Sequence, residues 1–369
     1  MDKSLTPVIA GFIPLLDSAV LVAAAEMGFA EEEGIALKLV RETSWANIRD
    51  RIAVGHFDVA HMLAPMPIAA SLNLTSLAVP MLAPMLLGLG GNAITVSTGL
   101  WADMAAAGAD TGGDPASTGK ALADVISNRR AKAAPLLNFG VVHPFSGHAY
   151  ELRYWIAAAG LDPDSDVEIT VLAPQIMADA LATGQLDGYC VGEPWNTAAV
   201  AAGTGRIATY KQAIWPDSPE KVLGVTRKWA EANPQTLAAL LRALSGAAYW
   251  CASAENVEKL AGLLSRADTL ACPIEICLPA LEGSMRLGRN TMKQVPDFLT
   301  FSGGAQMAPM PAHGKWFHEQ MVRWGQAERS EDATAEVARI FSPDIYLSAL
   351  GLENVPRDAS IRMFDGRNF

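Results

Sequence analysis

The stretch that decides the fold covers residues 8–62 and reads VIAGFIPLLDSAVLVAAAEMGFAEEEGIALKLVRETSWANIRDRIAVGHFDVAHM. Short runs of β-forming residues alternate in it with helical patterns. The predicted strands are 8–12, 35–40 and 57–62, and the predicted helices are 19–27 and 44–54. Strands that alternate with helices predict an α/β protein with a parallel sheet and helices on both of its faces.

The helix starts in this stretch have recognisable capping residues. Asp17 or Ser18 is expected to cap the first helix, and Ser44 the second, because short polar side chains accept from the free amides of a first turn. Ligands of such sheets bind beyond the carboxyl ends of the strands. Segments 15–17, 44–46 and 64–66 are therefore expected to lie together around a cleft.

The bulk composition indicates a folded protein with more than one core. A chain of 369 residues predicts two domains. Half of the residues are hydrophobic and 18% are charged, which is typical of globular proteins. The net charge is −11, and no basic run is longer than Arg129-Arg130. Direct nucleic-acid binding is therefore not expected.

The sequence lacks the usual signatures of catalysis, metal binding and membrane insertion. It contains no GxSxG, HExxH or P-loop motif. The four cysteines, at 190, 251, 272 and 277, have no metal-ligand spacing and are interpreted as reduced, buried thiols. Pro80 and Pro84 interrupt the apolar stretch 77–89. The prediction is a non-enzyme without metal, cofactor or membrane span.

The first residues carry no visible targeting segment. Residues 1–4 lead directly towards the first predicted strand, without a cationic region followed by a cleavable apolar stretch. The expected location is the cytoplasm, although a protein whose signal peptide had been removed would begin in the same way.

The rest of the chain predicts a second α/β unit and a return to the first. Gly88 to Gly91 is interpreted as a flexible seam, Asn92 to Ser97 as a new strand, and 105–118 as a surface loop. The chain is expected to cross between two lobes twice, at this seam and again near 213–221. A long helix is expected after the second crossing, at 234–252. The predicted domains are lobe 1 at 1–90 and 214–345, lobe 2 at 91–213, and a C-terminal tail at 346–369.

Three residues are candidates for binding an anion. Trp45 lies at a strand-to-helix turn, and its indole N–H can only donate, while the amides of residues 46 and 47 would point at a ligand from the helix start. The alternative is that Trp45 is a core anchor. His148 follows a strand end and could be structural. Lys221, near the second crossing, could be a countercharge or a surface lysine.

The chain resembles the nitrate/bicarbonate branch of the periplasmic binding proteins over about residues 7–345. The matching segments are 11–17 (GFIPLLD), 44–50 (SWANIRD), 60–67 (AHMLAPMP), 148–155 (HAYELRYW) and 191–196 (VGEPWN). The resemblance implies the type II periplasmic-binding-protein fold, in which two α/β lobes enclose a ligand cleft.

The resemblance also implies a binding site for a small oxyanion at Trp45, Asn92, His148 and Lys221. In the bicarbonate branch the position of Lys221 is acidic and a calcium ion takes part. Lysine at this position therefore implies nitrate or nitrite as the ligand, without a metal.

Cytoplasmic members of this branch are NasS-type nitrate/nitrite sensors, and the chain is similar to them. Such a sensor holds an ANTAR-domain antiterminator and releases it when the anion binds. The alternative is the solute-binding component of an ABC importer for the same anions. An enzyme of the thiamine-precursor synthase type ranks below both, because the cysteines do not cluster.

One further pattern bears on a partner. Trp316, Phe317, Met321 and Trp324 recur at helical spacing in the C-terminal third. Packing against the first lobe is the favoured interpretation, and a docking surface for the antiterminator is the alternative.

Overall fold

The fold contains a six-stranded and a five-stranded β-sheet, each flanked by helices, and a separate two-stranded sheet, in a computed structural model that describes residues 5–353 and 361–369. The described strands are β1 Thr6–Phe12, β2 Ile35–Arg41, β3 Val59–Leu63, β4 Met81–Gly90, β5 Asn92–Ser97, β6 Leu137–Val141, β7 Val167–Val171, β8 Gly188–Gly192, β9 Gly205–Tyr210, β10 Pro219–Thr226, β11 Ser284–Gly288, β12 Thr291–Gln294 and β13 Leu299–Thr300.

The helices surround these sheets and continue beyond them. The described α-helices are α1 Ala19–Glu26, α2 Phe29–Glu32, α3 Trp45–Ala53, α4 Met66–Ser71, α5 Thr98–Ala106, α6 Pro115–Ala131, α7 Gly147–Ala158, α8 Met177–Ala182, α9 Trp195–Ala201, α10 Lys211–Ile214, α11 Arg227–Ala232, α12 Pro234–Ala252, α13 Val257–Leu264, α14 Ile274–Leu281, α15 Pro311–Arg323, α16 Glu331–Ile340 and α17 Asp344–Leu350. Short 3₁₀ turns are Leu16–Ser18, Pro174–Ile176, Ala254–Asn256 and Gly304–Met307.

The first sheet has the strand order β13-β4-β10-β3-β1-β2. Its β2-β1-β3 part is parallel, as the alternation of strands and helices predicts. The predicted parallel pairing does not extend to the rest of the sheet, because β10 pairs antiparallel with both β3 and β4. β10 brings the chain back from the second sheet, so it enters the first sheet from the opposite end.

The second sheet has the order β7-β6-β8-β5-β9 and repeats this mixed design. β6 is parallel to β7 and β8, whereas β5 is antiparallel to β8 and β9. β5 begins at Asn92, as predicted, and brings the chain in from the first sheet. In both sheets the strand that brings the chain in from the other sheet, β10 or β5, pairs antiparallel with both of its neighbours.

The first connection between the lobes is the single residue Gly91, which lies between strands β4 and β5. The predicted flexible seam at 88–91 is wrong, because Gly88 and Gly90 belong to β4 and β5 starts directly after Gly91. Gly90 has φ +75°, and a Cβ on it would lie 2.3 Å from the Phe298 carbonyl oxygen. Glycine is needed here for a close backbone approach between strands.

Part of the predicted loop at 105–118 is also helical. α6 begins at Pro115, and the Asp114 side chain accepts from the Ser117 amide at its N-terminus. Proline in the first turn costs no helical hydrogen bond, so the Asp-Pro pair starts a helix here rather than extending the loop.

The C-terminal third packs against both lobes. Trp316 and Phe317 are buried, and their rings lie against Tyr154 and Tyr150 of α7, which flanks the second sheet. Both rings also lie against Trp215, in the segment assigned to the first lobe, so they pack against both lobes and not against the first alone. Helix α16 contacts β4 of the first sheet. The third as a whole spans the two lobes.

The C-terminal residues 361–369 also reach helix α7, where the Tyr154 hydroxyl donates to the Asp365 carboxylate. The boundary expected between 345 and 346 falls inside α17, and residues 354–360 of the expected tail lie outside the described residues. The other domain boundaries stay predictions.

Helix length and hydropathy give one further result for residues 5–353 and 361–369. No single helix there is long and apolar enough to cross a membrane. The consecutive segments Pro234–Ala252 and Ala254–Leu264 satisfy length and composition only as a pair, and they are bent by 84° at their junction.

Candidate ligand-binding site

Buried polar side chains from both lobes meet between the two sheets. The first lobe contributes Asp17, after β1, Trp45, at the start of α3, His61, on β3, and Glu220 and Lys221, on β10. The second lobe contributes Asn92, at the start of β5, His148 and Glu151, on α7, and Lys211, at the start of α10. We call these nine residues the interlobe cluster. All four predicted site residues belong to it.

Lys221 is buried and paired. Its Nζ lies 2.7 Å from Asp17 Oδ2, 2.9 Å from Glu220 Oε1 and 5.4 Å from the centre of the Trp45 ring. Burial alone would lower the pKa of Lys221, but the two carboxylates outweigh it and raise the pKa. The surface-lysine alternative is therefore wrong, and the countercharge that the sequence suggested already contacts two carboxylates.

Lys211 is a second buried lysine, which the sequence analysis missed. Its ammonium lies 2.6 Å from Glu220 Oε2 and also contacts Glu151 Oε1. Asn92 donates to the other oxygen of Glu151 at 3.2 Å. Glu220 thus bridges the two lysines, and one charge network joins the two lobes.

The carboxylates of this network differ in their protonation. Burial alone would raise the pKa of Glu220, yet Lys211 and Lys221 outweigh it and hold the pKa well below its usual value. Burial, and the neighbouring Glu220, raise the pKa of Glu151 despite its contact with Lys211. Glu151 is therefore the network carboxyl that takes up a proton most readily.

Asp17 does not cap helix α1. The residue in the N-cap position is Ser18, which makes no side-chain cap hydrogen bond. The Asp17 carboxylate instead lies 3.0 Å from His61 Nε2 and 2.7 Å from Lys221. These partners outweigh the effect of burial and lower the pKa of Asp17. The Asp17 carboxylate therefore belongs to the cluster and not to the helix start.

The two histidines of the cluster are neutral at pH 7. Burial lowers the pKa of His148 to about 3 and also lowers the pKa of His61. His148 Nε2 lies 3.5 Å from Glu220 Oε1, and among the described residues neither ring nitrogen of His148 has a hydrogen-bond partner. A neutral imidazole offers one donor and one acceptor.

Trp45 supplies a buried donor at the first-lobe side of the cluster. Its side chain is only 1% exposed, and within the described part of the chain its Nε1 has no hydrogen-bond partner. The predicted role of the amide of residue 47 is wrong, because Asn47 donates to the Ser44 side chain that caps helix α3. The indole is thus the clearest unsatisfied donor of this helix start.

Across residues 5–353 and 361–369, no group of three or more His, Cys, Asp or Glu side chains has an arrangement that could hold a metal ion.

The residues that the sequence analysis missed had weak local signals. Glu151 and Glu220 lie inside or beside segments already singled out, and Lys211 follows a strand end. Their pairing joins positions 60 residues apart, Lys211 and Glu151, so no spacing in the sequence indicates it. Only the packing of α7 against the start of α10 brings them together.

Similar proteins were found by sequence. The chain is 32% identical over 366 residues to the nitrate import ATP-binding protein NrtC of Synechocystis, covering 97% of the chain but 52% of that protein. It is 30% identical over 366 residues to the nitrate/nitrite binding protein NrtA of Synechococcus elongatus, covering 97% of the chain and 80% of that protein. The chain thus spans about half the length of NrtC and most of NrtA.

The fold is shared with a solved relative. The crystal structure of the periplasmic nitrate-binding protein NrtA from Synechocystis superposes with a TM-score of 0.90 at 26% identity, over 99% of this chain and 95% of the other. The predicted fold of two α/β lobes is confirmed.

The model of the NMT1-like family matches residues 2–265. Together with the similarity to NrtA along nearly the whole chain, this match shows that the protein belongs to the NMT1-like family, in the group of periplasmic-binding-protein folds that contains the nitrate-binding proteins.

Proposed function

We propose that this protein is a binding protein for nitrate or nitrite and that the anion binds in the interlobe cluster. The observation that carries the proposal is the buried Trp45 Nε1, a donor without a partner among the described residues, beside the Lys221 ammonium. A buried N–H without an acceptor is costly, so the site favours a ligand that supplies one.

The other groups of the cluster favour a small, acceptor-rich ligand. His148 offers one N–H from a neutral ring. Lys221 has three ammonium donors, and Asp17 and Glu220 account for two of them. A planar oxyanion can accept from all three side chains, because its acceptor oxygens point in different directions. The relatives named as nitrate-binding proteins support the same ligand.

The charge of the cluster limits how the anion can bind. Two lysines face three carboxyl groups, Asp17, Glu151 and Glu220. With Glu151 protonated, the charges balance and the anion adds a single negative charge. We therefore propose that binding relies on hydrogen bonds from Trp45 and His148 and on sharing the Lys221 ammonium, not on an unpaired cation.

Calorimetry tests the ligand. Nitrate, nitrite and bicarbonate are titrated into the protein, each with and without calcium. We expect nitrate or nitrite to bind without calcium. Bicarbonate bound more tightly than both, and only with calcium, would contradict the proposal.

The cellular role has two candidates. The relatives, named as an import ATP-binding protein and a periplasmic binding protein, support the solute-binding component of an ABC importer better than the sensor. The second candidate is the sensor of the NasS type, which holds an ANTAR-domain antiterminator. Trp316, Phe317 and Met321 are buried and would not form its docking surface in this conformation.

Location and complex formation distinguish the two roles. A sensor acts in the cytoplasm, whereas an importer component acts outside it, so cell fractionation separates them. Gel filtration of the protein with an ANTAR-domain protein, with and without nitrate, gives the second measurement. A complex that nitrate dissociates would establish the sensor, and separate elution under both conditions would establish that the importer role is the better one.

A further inference from the structure

A second basic cavity lies on the outer side of the second lobe, away from the interlobe cluster. Its volume is about 850 Å³. It opens where the β11–β12 hairpin, helix α9 and the start of β9 meet the α5–α6 region. Three arginines line it, Arg206, Arg286 and Arg289, and its described lining contains no aspartate or glutamate. We call it the arginine cavity.

Arg206 is built into the floor of this cavity. Its side chain is 4% exposed, and its guanidinium carbon lies 4.5 Å from the centre of the Trp101 ring. One terminal nitrogen donates to the Thr111 carbonyl oxygen. Stacking on tryptophan and this single bond hold the guanidinium plane in one orientation. Such a preorganised group loses little freedom when it binds a ligand.

The remaining donors of Arg206 have no acceptor. Among the described residues, Nε and Nη1 are buried and without a hydrogen-bond partner. No ion pair of Arg206, Arg286 or Arg289 occurs within residues 5–353 and 361–369. Most buried cationic groups are paired, so two orphaned donors on one buried guanidinium are unusual.

The backbone around Arg206 leaves room for the guanidinium. A Cβ on Gly288 would lie 2.4 Å from Arg206 Nη1, so a side chain there would displace the guanidinium from this position. Gly288 is the last residue of β11, and the turn after it carries Arg289. The exposed Arg286 lies on the same strand. The hairpin thus adds two exposed arginines, Arg286 and Arg289, beside the buried Arg206.

We propose that the arginine cavity binds a small molecule carrying two or more negative charges on carboxylate or phosphate groups. One of the orphaned donors of Arg206, Nε or Nη1, would donate to one group, and Arg286 and Arg289 would neutralise the others. Arginine suits these groups because its guanidinium stays charged and carries several N–H donors in one plane. A cavity of this volume is in the range that small ligands occupy. The nitrate proposal concerns another site, so the two can fail separately.

Two probes test the proposal and identify the chemistry. Pyrophosphate and citrate are titrated separately by calorimetry into the wild-type protein that is saturated with nitrate. We expect saturable binding of at least one probe, weakened by salt. Binding of pyrophosphate alone would indicate a phosphate ligand, and binding of citrate alone would indicate a carboxylate ligand. Absence of saturable binding for both would overturn the proposal.

Variants locate the binding. Arg206→Gln should weaken the bound probe by about 10- to 100-fold, because hydrogen bonds to charged groups contribute roughly 1.5–3 kcal/mol. Arg286→Ala/Arg289→Ala keeps the buried residue and should weaken it by about 10-fold. The matched control is Lys132→Ala/Lys228→Ala, which removes the same charge from two exposed lysines elsewhere. Equal weakening by the control pair would show an effect of net charge and would contradict the site.

Discussion

The interlobe cluster and the arginine cavity are two ways of placing cations in one protein. In the cluster, Lys211 and Lys221 are fully buried and each contacts two carboxylates. In the cavity, Arg286 and Arg289 are exposed and only Arg206 is buried. Removing a charge from water is costly unless a partner compensates it. The cluster supplies its own partners, whereas solvent or a ligand must supply them in the cavity.

The difference shows that charge compensation, and not the number of cations, distinguishes the two sites. In the two proposals, the cluster, with its charges largely paired, selects a ligand by hydrogen bonds, and the cavity, lined by three arginines, selects a ligand by charge. Mutations that remove one partner from the cluster should therefore affect folding as well as binding, whereas mutations of the exposed cavity arginines should affect binding alone.

The largest effect is expected from Lys221→Ala. It leaves Asp17 buried with only His61, which is neutral, and takes one of two cations from Glu220. Breaking a buried ion pair costs about 3–5 kcal/mol, so the free energy of unfolding should fall by that amount and nitrate binding should be lost. Urea unfolding and calorimetry measure the two effects.

The control for this prediction is Lys228→Ala, at an exposed lysine of helix α11. It should change the free energy of unfolding by less than about 0.5 kcal/mol. If Lys221→Ala kept both the stability and the affinity of the wild type, the compensated cluster would have no energetic importance and the comparison would break down.

A smaller effect is expected from Trp45→Phe, which removes the indole N–H and keeps an aromatic ring. Because the Nε1 donor has no protein partner among the described residues, its loss should not lower stability by a hydrogen bond. Nitrate affinity should fall by about 10- to 100-fold, since a hydrogen bond to a charged group contributes roughly 1.5–3 kcal/mol.

Calorimetry measures the nitrate affinity of this variant. The matched control is Trp250→Phe, at a half-buried tryptophan of helix α12 outside the cluster. The control should bind nitrate as the wild type does. Unchanged affinity in Trp45→Phe would return Trp45 to the alternative of a core anchor.

Glu193 shows a third way in which a buried ionisable group avoids an uncompensated charge, which is to stay protonated. Its carboxyl is buried, accepts from the Thr197 amide at 3.1 Å, and has one oxygen without a partner among the described residues. Burial raises the pKa of Glu193 to about 7. Among the causes of this shift there is no cation, so the carboxyl stays protonated up to about pH 7.

The raised pKa predicts a pH dependence of stability. Between the unfolded pKa of 4.5 and about 7, the folded state binds more protons, so the free energy of unfolding should fall as the pH rises. The contribution lost is at most about 3 kcal/mol. Urea unfolding at several pH values should show a smaller slope for Glu193→Gln. Glu168→Gln, at an exposed residue, should keep the wild-type slope.

Local signals predicted much of the fold from the sequence. The Ser44 cap, the strand from Asn92 to Ser97 and the helix Pro234–Ala252 all occur as expected, because caps, β-branched runs and proline starts act over a few residues. The strand directions near the crossings were not predictable in the same way. They depend on how the chain passes between the lobes, which no short segment encodes.

The candidate site was predicted only in part, for a related reason. Trp45, Asn92, His148 and Lys221 lie in recognisable segments, and the structure brings them together. Their charged partners Asp17, Lys211 and Glu220 were either assigned another role or missed. Whether Lys221 is free or paired depends on side chains from several elements, so its sequence context could not decide it.

The complete burial of the cluster has a kinetic consequence. Trp45, His148 and Lys221 have at most 1% of their surface exposed, so solvent cannot reach them in this conformation. If the anion binds there as proposed, the lobes must separate before it can enter or leave. Its exchange rate then reports the frequency of that opening and not the speed of diffusion. A bound anion would outlast many collisions with competing ions, and the protein would register a time average of the surrounding concentration.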